Sequence, residues 1–135
     1  MLRAIAIIAL LSAAGQSGKH SAYRKEPCKT PELASSCFHI HARLNAGSGT
    51  PTVRLWGIGT HHVYGIYSNA YGFEHDDLTG DNEAPELPRT VLRFLPPTGG
   101  WTVYGDFEVC PLERHIEGHM QAACIAGASH IVKNY

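Results

Sequence analysis

The chain has 135 residues, of which 44% are hydrophobic and 17% are charged. This is enough apolar material for the core of one small domain, which excludes a wholly disordered chain. Eleven Lys and Arg against twelve Asp and Glu leave a formal net charge of −1, so a strongly basic nucleic-acid binder is disfavoured. The nine histidines are the unusual count in this composition.

The first residues are typical of a secretory signal peptide. Arg3 supplies a positive charge, residues 4–11 form a short apolar run, and Ser12 and Ala14 place small residues before a cleavage site after Ala14. The run is about half as long as a membrane span, and no Cys follows it as a lipoprotein anchor. We therefore expect a cleaved signal peptide at 1–14 and a periplasmic or extracellular protein with no membrane span.

Export determines how the four cysteines are interpreted. In an oxidising compartment, four Cys allow three sets of pairs. Pairing of sequence neighbours, Cys28 with Cys37 and Cys110 with Cys124, is the simplest set and closes two short loops. A four-thiolate zinc site is the alternative, but such sites place Cys in close pairs such as C-x2-C. We therefore predict two local disulfides.

Alternating apolar and polar residues predict five strands. In the first, Phe38, Ile40 and Leu44 share one face while His39 and His41 share the other. The predicted strands lie near residues 37–45, 52–58, 61–67, 101–110 and 120–132.

An apolar stripe after two prolines predicts one helix near residues 86–95. Residues 68–84 lack a period and are acidic, which predicts a long exposed loop. Three strands, a helix and two more strands is the element order of a mainly β fold, a small five-stranded OB-like barrel with one short helix. A β-sandwich is the alternative. The expected organisation is an N-terminal extension at 15–36, carrying a disulfide-closed turn, and a single domain at 37–135.

Three segments, 37–43, 52–60 and 104–112, also resemble a family of small, secreted, uncharacterised bacterial proteins. They contain the runs R-L-W-G-I-G-T and Y-G-D-F-E-V-C-P-L. The resemblance covers most of the chain after the signal peptide. It implies export and this fold, and it assigns no catalytic residue.

The outer strand face is the candidate ligand-binding surface. Arg43 and Arg54 lie on strands joined by a short turn, and Trp56 lies two residues from Arg54, so all three point outward. With Tyr64, they would offer cationic donors beside aromatic plates, which suits an anionic, aromatic or sugar-like group. The alternative is an ordinary surface in which Trp56 packs under the arginines and binds nothing.

Histidines are the candidate metal ligands. His39 and His41 share a strand face, and His62 lies on a strand that could approach them. Imidazole suits Zn²⁺, Cu²⁺ or Ni²⁺, but nothing in the sequence fixes a third ligand, so no metal or cofactor is predicted. His115 and His119 lack the H-E-x-x-H pattern of zinc proteases and fall in a predicted loop.

Carboxylates give the remaining candidate sites. Asp106 and Glu108 lie two apart on one strand face, a spacing that could host acid–base chemistry, although two solvated strand carboxylates are commoner. The acidic stretch 74–83 does not fit a calcium loop.

We therefore expect a non-enzymatic exported module that binds a partner protein, an envelope component or a small ligand. The alternative is a small exported metalloprotein or a nuclease-like enzyme that uses His, Asp and Glu.

Overall fold

The computed structural model describes residues 27–68 and 85–133. Within them, a 3-10 turn at Ala34–Ser36 precedes five strands and one helix. These elements are, in chain order, β1 (Phe38–Ala46), β2 (Val53–Gly57), β3 (Val63–Ile66), α1 (Arg89–Leu92), β4 (Trp101–Pro111) and β5 (Gln121–Lys133). The predicted signal peptide at 1–14 and the acidic stretch at 74–83 lie outside the described residues.

The five strands form a closed barrel in the order β1-β2-β3-β5-β4. Four of the neighbouring pairs are antiparallel, and β3 pairs with β5 in parallel. Closure pairs the edges that an open sheet would expose. The mainly β fold class is confirmed, and the closed five-stranded arrangement is consistent with a small OB-like barrel rather than with the β-sandwich alternative.

The barrel interior holds the apolar face that the alternation predicted. Leu44, Val103 and Phe107 are fully buried, and Ile40 is partly buried against the same cluster. A fully buried aliphatic or aromatic side chain contributes about 1.5 to 3 kcal/mol relative to an exposed one. The predicted register of β1 and β4 is therefore the observed one.

Tyr64 lies on the opposite face from the one predicted. It was expected beside Arg43 and Trp56 on the outer surface, but it is 7% exposed and belongs to the core. The register explains the difference, because Tyr64 pairs with Leu55, an inward residue of β2. Burial also raises the pKa of the Tyr64 phenol.

The helix is shorter than predicted. It spans Arg89–Leu92 rather than 86–95, and Pro88 precedes it with an extended ψ of 144°. A residue before proline is also held extended, which keeps Leu87 out of the helix. Val91 is fully buried against the barrel, so this single turn still contributes to the core. Among residues 27–68 and 85–133, no helix has the length and apolar character that crossing a membrane requires.

All four cysteines form disulfides, but the predicted pairing is wrong. The bonds join Cys28 to Cys124 and Cys37 to Cys110, with Cα–Cα separations of 5.6 and 4.1 Å. The β1–β4 ladder explains the second bond. Phe38 pairs with Val109, so the preceding Cys37 falls opposite the following Cys110.

The other bond follows from the path of the N-terminal segment. Cys28 reaches β5 at Cys124, although Cys124 is also the cross-strand partner of Cys110. The two bonds therefore tie the segment before β1 to β4 and β5, and they do not close a turn within that segment. The chain is a small disulfide-stabilised domain.

Tryptic mapping under non-reducing conditions tests this connectivity. Trypsin places the four cysteines in separate peptides, spanning residues 26–29, 30–43, 94–114 and 115–133. We expect 26–29 to be linked to 115–133, and 30–43 to 94–114. Recovery of 26–29 linked to 30–43 would contradict the observed pairing.

Removal of a bond tests its contribution to stability. The pairs lie 96 and 73 residues apart in sequence, and loops of this length constrain the unfolded chain by about 4 to 5 kcal/mol each. The double variant Cys37→Ala/Cys110→Ala should lose about 4 kcal/mol of unfolding free energy in urea. The matched variant Cys28→Ala/Cys124→Ala should lose a similar amount. A loss below about 1 kcal/mol in both would show that the bonds add little.

Candidate functional site

Arg43, Arg54 and Trp56, the residues predicted to bind a ligand, lie at outward positions of β1 and β2. Arg43 pairs with Trp56 on β2 and with Tyr104 on β4, so the guanidinium-bearing residue lies between two aromatic ones. All three are partly buried. We call these three residues the aromatic row. Strand alternation produces it, because each residue occupies an outward position of its strand.

Arg43 stacks on Trp56 within this row. The central carbon of its guanidinium lies 5.0 Å from the indole centroid, a cation–π contact. The indole is itself fixed, because Trp56 Nε1 donates a hydrogen bond of 2.7 Å to the carbonyl of Thr60. Arg43 Nε is buried without a hydrogen-bond partner. The charged guanidinium of Arg43 is therefore held in a defined position against the fixed indole ring of Trp56.

Arg54 shares the face but is directed elsewhere. Its Nε donates a 3.2 Å hydrogen bond to the carbonyl of Pro51, in the turn between β1 and β2. Its guanidinium also lies against Gly49, where an added Cβ would come within 2.6 Å of Nη2. Gly49 has a φ of +104°, which also favours glycine. The structure therefore brings Arg43 and Trp56 together and places Arg54 against the turn.

A second group lies beside the row on β1, β4 and β5. Asp106 contacts two histidines, with 2.8 Å to His41 Nδ1 and 2.9 Å to His130 Nδ1. The hydrogen bond with His41 is the main reason that the pKa of Asp106 is lowered. Glu108 pairs with Lys29, and that hydrogen bond lowers the pKa of its carboxyl. Both predicted carboxylates are therefore engaged with basic side chains.

The sequence pattern does not predict the contact of His130 with Asp106. His130 has a φ of 51°, a left-handed conformation that His adopts more readily than most residues. The β4–β5 ladder shifts register between Tyr104 and Asp106, close to His130. A bulge of this kind breaks the strand alternation, so the sequence pattern does not place His130 beside Asp106.

The predicted metal candidates are separated by the fold. His39 and His41 lie on the outside of β1, whereas His62 lies just before β3. Instead, His62 meets His115 from the β4–β5 connection, with ring centroids 4.6 Å apart. Among the described residues, the group of three potential ligand atoms that converge within 4.8 Å is Cys28, Cys110 and Cys124, all engaged in disulfides.

Comparison of the chain with models of protein families, with curated proteins and with solved structures gave no match. The resemblance to small secreted bacterial proteins therefore stays a prediction.

A double-mutant cycle tests the stacking of Arg43 on Trp56. We expect Arg43→Met, Trp56→Leu and the double variant to reveal a favourable coupling of about 0.5 to 1 kcal/mol in urea unfolding, because the contact is partly desolvated. A cycle that pairs Arg93→Met with Trp56→Leu is the control. Strictly additive losses at Arg43 and Trp56 would contradict the contact.

Proposed function

We infer that the protein is an exported, non-enzymatic binding module that holds an anionic group on its aromatic row. The observation that carries this proposal is the Arg43 guanidinium stacked on Trp56. Guanidinium presents planar N–H donors that match a carboxylate, phosphate or sulfate. The flanking indole and phenol suit a flat apolar part of the same ligand.

The charge of Arg43 is not neutralised within the part of the chain that the structure describes. The nearby carboxylates have other partners, since Asp106 contacts His41 and His130 while Glu108 contacts Lys29. An arriving anion would therefore not have to displace an acidic side chain from Arg43. Because Nε is buried, the ligand would meet the terminal nitrogens.

Pre-organisation favours binding at this residue. A free arginine side chain loses rotamer entropy when it binds, whereas one already held against an indole has lost part of it. Arg54 adds a second cation on the same face, fixed against the turn by its bond to Pro51. The ligand class is thus a small molecule or an envelope component that carries an anionic group.

Two disulfides support export to the periplasm or the cell exterior. Structural disulfides persist in oxidising compartments and are rare in the cytosol. The signal-peptide pattern at residues 1–14 supports the same location.

Nuclear magnetic resonance tests the proposed binding with defined probes. We expect inorganic phosphate and benzoate to shift the Arg43 Nε and Trp56 indole resonances of the isotope-labelled protein, and to leave the Trp101 indole unchanged. Arg43→Lys should weaken binding at least tenfold, about 1.4 kcal/mol, because lysine lacks the planar fork. The matched control Arg93→Lys should bind normally. The proposed binding site is wrong if neither phosphate nor benzoate, at tens of millimolar, shifts the Arg43 Nε resonance. It is also wrong if the folded Arg43→Lys variant binds the probes as tightly as wild type.

A nuclease-like enzyme is the second candidate, supported by the two histidines on Asp106. A carboxylate that holds Nδ1 of an imidazole orients the ring and leaves Nε2 for proton transfer. Here one carboxylate contacts two rings, which would supply an acid and a base on one surface.

Cleavage of single-stranded RNA and DNA by the purified protein tests this candidate. Activity should fall at least a hundredfold in His41→Gln and in His130→Gln, the range expected for a general acid or base. His39→Gln, on the same strand face, is the control. Wild-type protein without phosphodiesterase activity, or activity that survives both substitutions, would exclude acid–base catalysis at this pair.

A further inference from the structure

A cleft rich in histidine lies between the β2–β3 and β4–β5 connections. Residues 60–62 of the β2–β3 connection, with Val63 of β3, form one wall, and His115 with residues 117–120 of the β4–β5 connection form the other. The cleft has a volume of about 540 Å³. Four imidazoles line it, from His61, His62, His115 and His119, together with the carboxylate of Glu117.

His62 is the fixed side of this cleft. Its ring stacks on the buried Tyr64, with centroids 4.2 Å apart, and its Nε2 is buried without a hydrogen-bond partner. Burial is the main cause that lowers the pKa of His62, and the neighbouring His115 lowers it further. The unpartnered Nε2 is the ring nitrogen that a metal ion would use.

The opposite wall is an anchored loop. Glu113 accepts a 2.8 Å hydrogen bond from the amide of Ala122, and its carbonyl accepts one of 2.9 Å from Gln121 Nε2. These bonds fix the base of the loop beside β5. The loop tip is a tight turn in which the His119 amide donates to the Ile116 carbonyl at 3.0 Å. His115 and His119 therefore flank one turn beside His62.

Rotation of exposed side chains is needed to complete a donor set, because the imidazole nitrogens of His62, His115 and His119 do not all lie within 4.8 Å of one another. His115 and His119 are exposed, whereas His62 is packed. Their rings can therefore turn towards His62 at little cost in packing. Three imidazoles suit Zn²⁺ or Cu²⁺ at about 2.0 Å, and the carboxylate of Glu117 adds negative charge beside the cation.

We propose that His62, His115 and His119 bind a divalent transition-metal ion, Zn²⁺ or Cu²⁺, in the cleft between the β2–β3 and β4–β5 connections. None of these three ligands belongs to the aromatic row, although the Thr60 carbonyl, on a residue that lines the cleft, accepts the hydrogen bond from Trp56 Nε1. Metal binding would join the two connections across the end of the barrel.

Calorimetric titration of the full, tag-free protein with ZnCl₂ and CuCl₂ tests the proposal after treatment with a chelator. We expect one ion per chain with a micromolar or lower dissociation constant. His62→Gln, His115→Gln and His119→Gln should each weaken binding at least tenfold. His39→Gln, an exposed histidine on β1, is the matched control and should bind normally.

Electron paramagnetic resonance of the Cu²⁺ form provides a second readout. It should show hyperfine coupling to several imidazole nitrogens. The variant His115→Gln/His119→Gln, which leaves the packed His62 in place, should lose the coupling to two of them. Absence of stoichiometric binding would overturn the proposal. Equal affinity in wild type and the double variant would also overturn it, because it would place the ion on other surface histidines.

Discussion

Parallel pairing of β3 with β5 is the constraint on which the rest of the structure depends. The other four ladders alone would leave an open sheet with two free edges, at β3 and β5. Three residue pairs, from Tyr64 with Gln121 to Ile66 with Ala123, join these edges, and the Tyr67 amide extends the contact to the Ala123 carbonyl at 2.9 Å. Because β3 is only four residues long, closure also relies on Tyr64 and Ile66 in the shared core.

Closure determines where the two candidate sites lie. It brings the β2–β3 connection, with His62, against the β4–β5 connection, with His115. The antiparallel ladders β1–β2 and β1–β4 instead place Arg43 between Trp56 and Tyr104 on the outer surface. The histidine cleft therefore lies between connections, whereas the cationic surface lies on the strands, and the hydrogen bond from Trp56 to Thr60 links the two. The disulfides restrain the fold as well, because they fix the segment before β1 to β4 and β5.

Local patterns predicted most of the strands, because alternation depends only on neighbouring residues. The same rule placed Arg43 and Trp56 on one face. Features that depend on pairing between distant strands were missed: the disulfide connectivity, the inward face of Tyr64 and the contact of His130 with Asp106. Arg54 lies on the predicted face of its strand. Its side chain nevertheless points towards the β1–β2 turn, because it hydrogen-bonds the Pro51 carbonyl. The helix starts later than the sequence predicts, because Pro88 holds the preceding residue extended.

Contacts between β3 and β5 provide the most direct test of this account. Nuclear Overhauser measurements should connect Gly65 with Ala122 and Ile66 with Ala123, and the Tyr67 amide should exchange slowly with solvent. These results would establish the closed barrel that positions both sites. Absence of the β3–β5 contacts, together with rapid exchange of the Tyr67 amide, would show an open sheet and contradict the account.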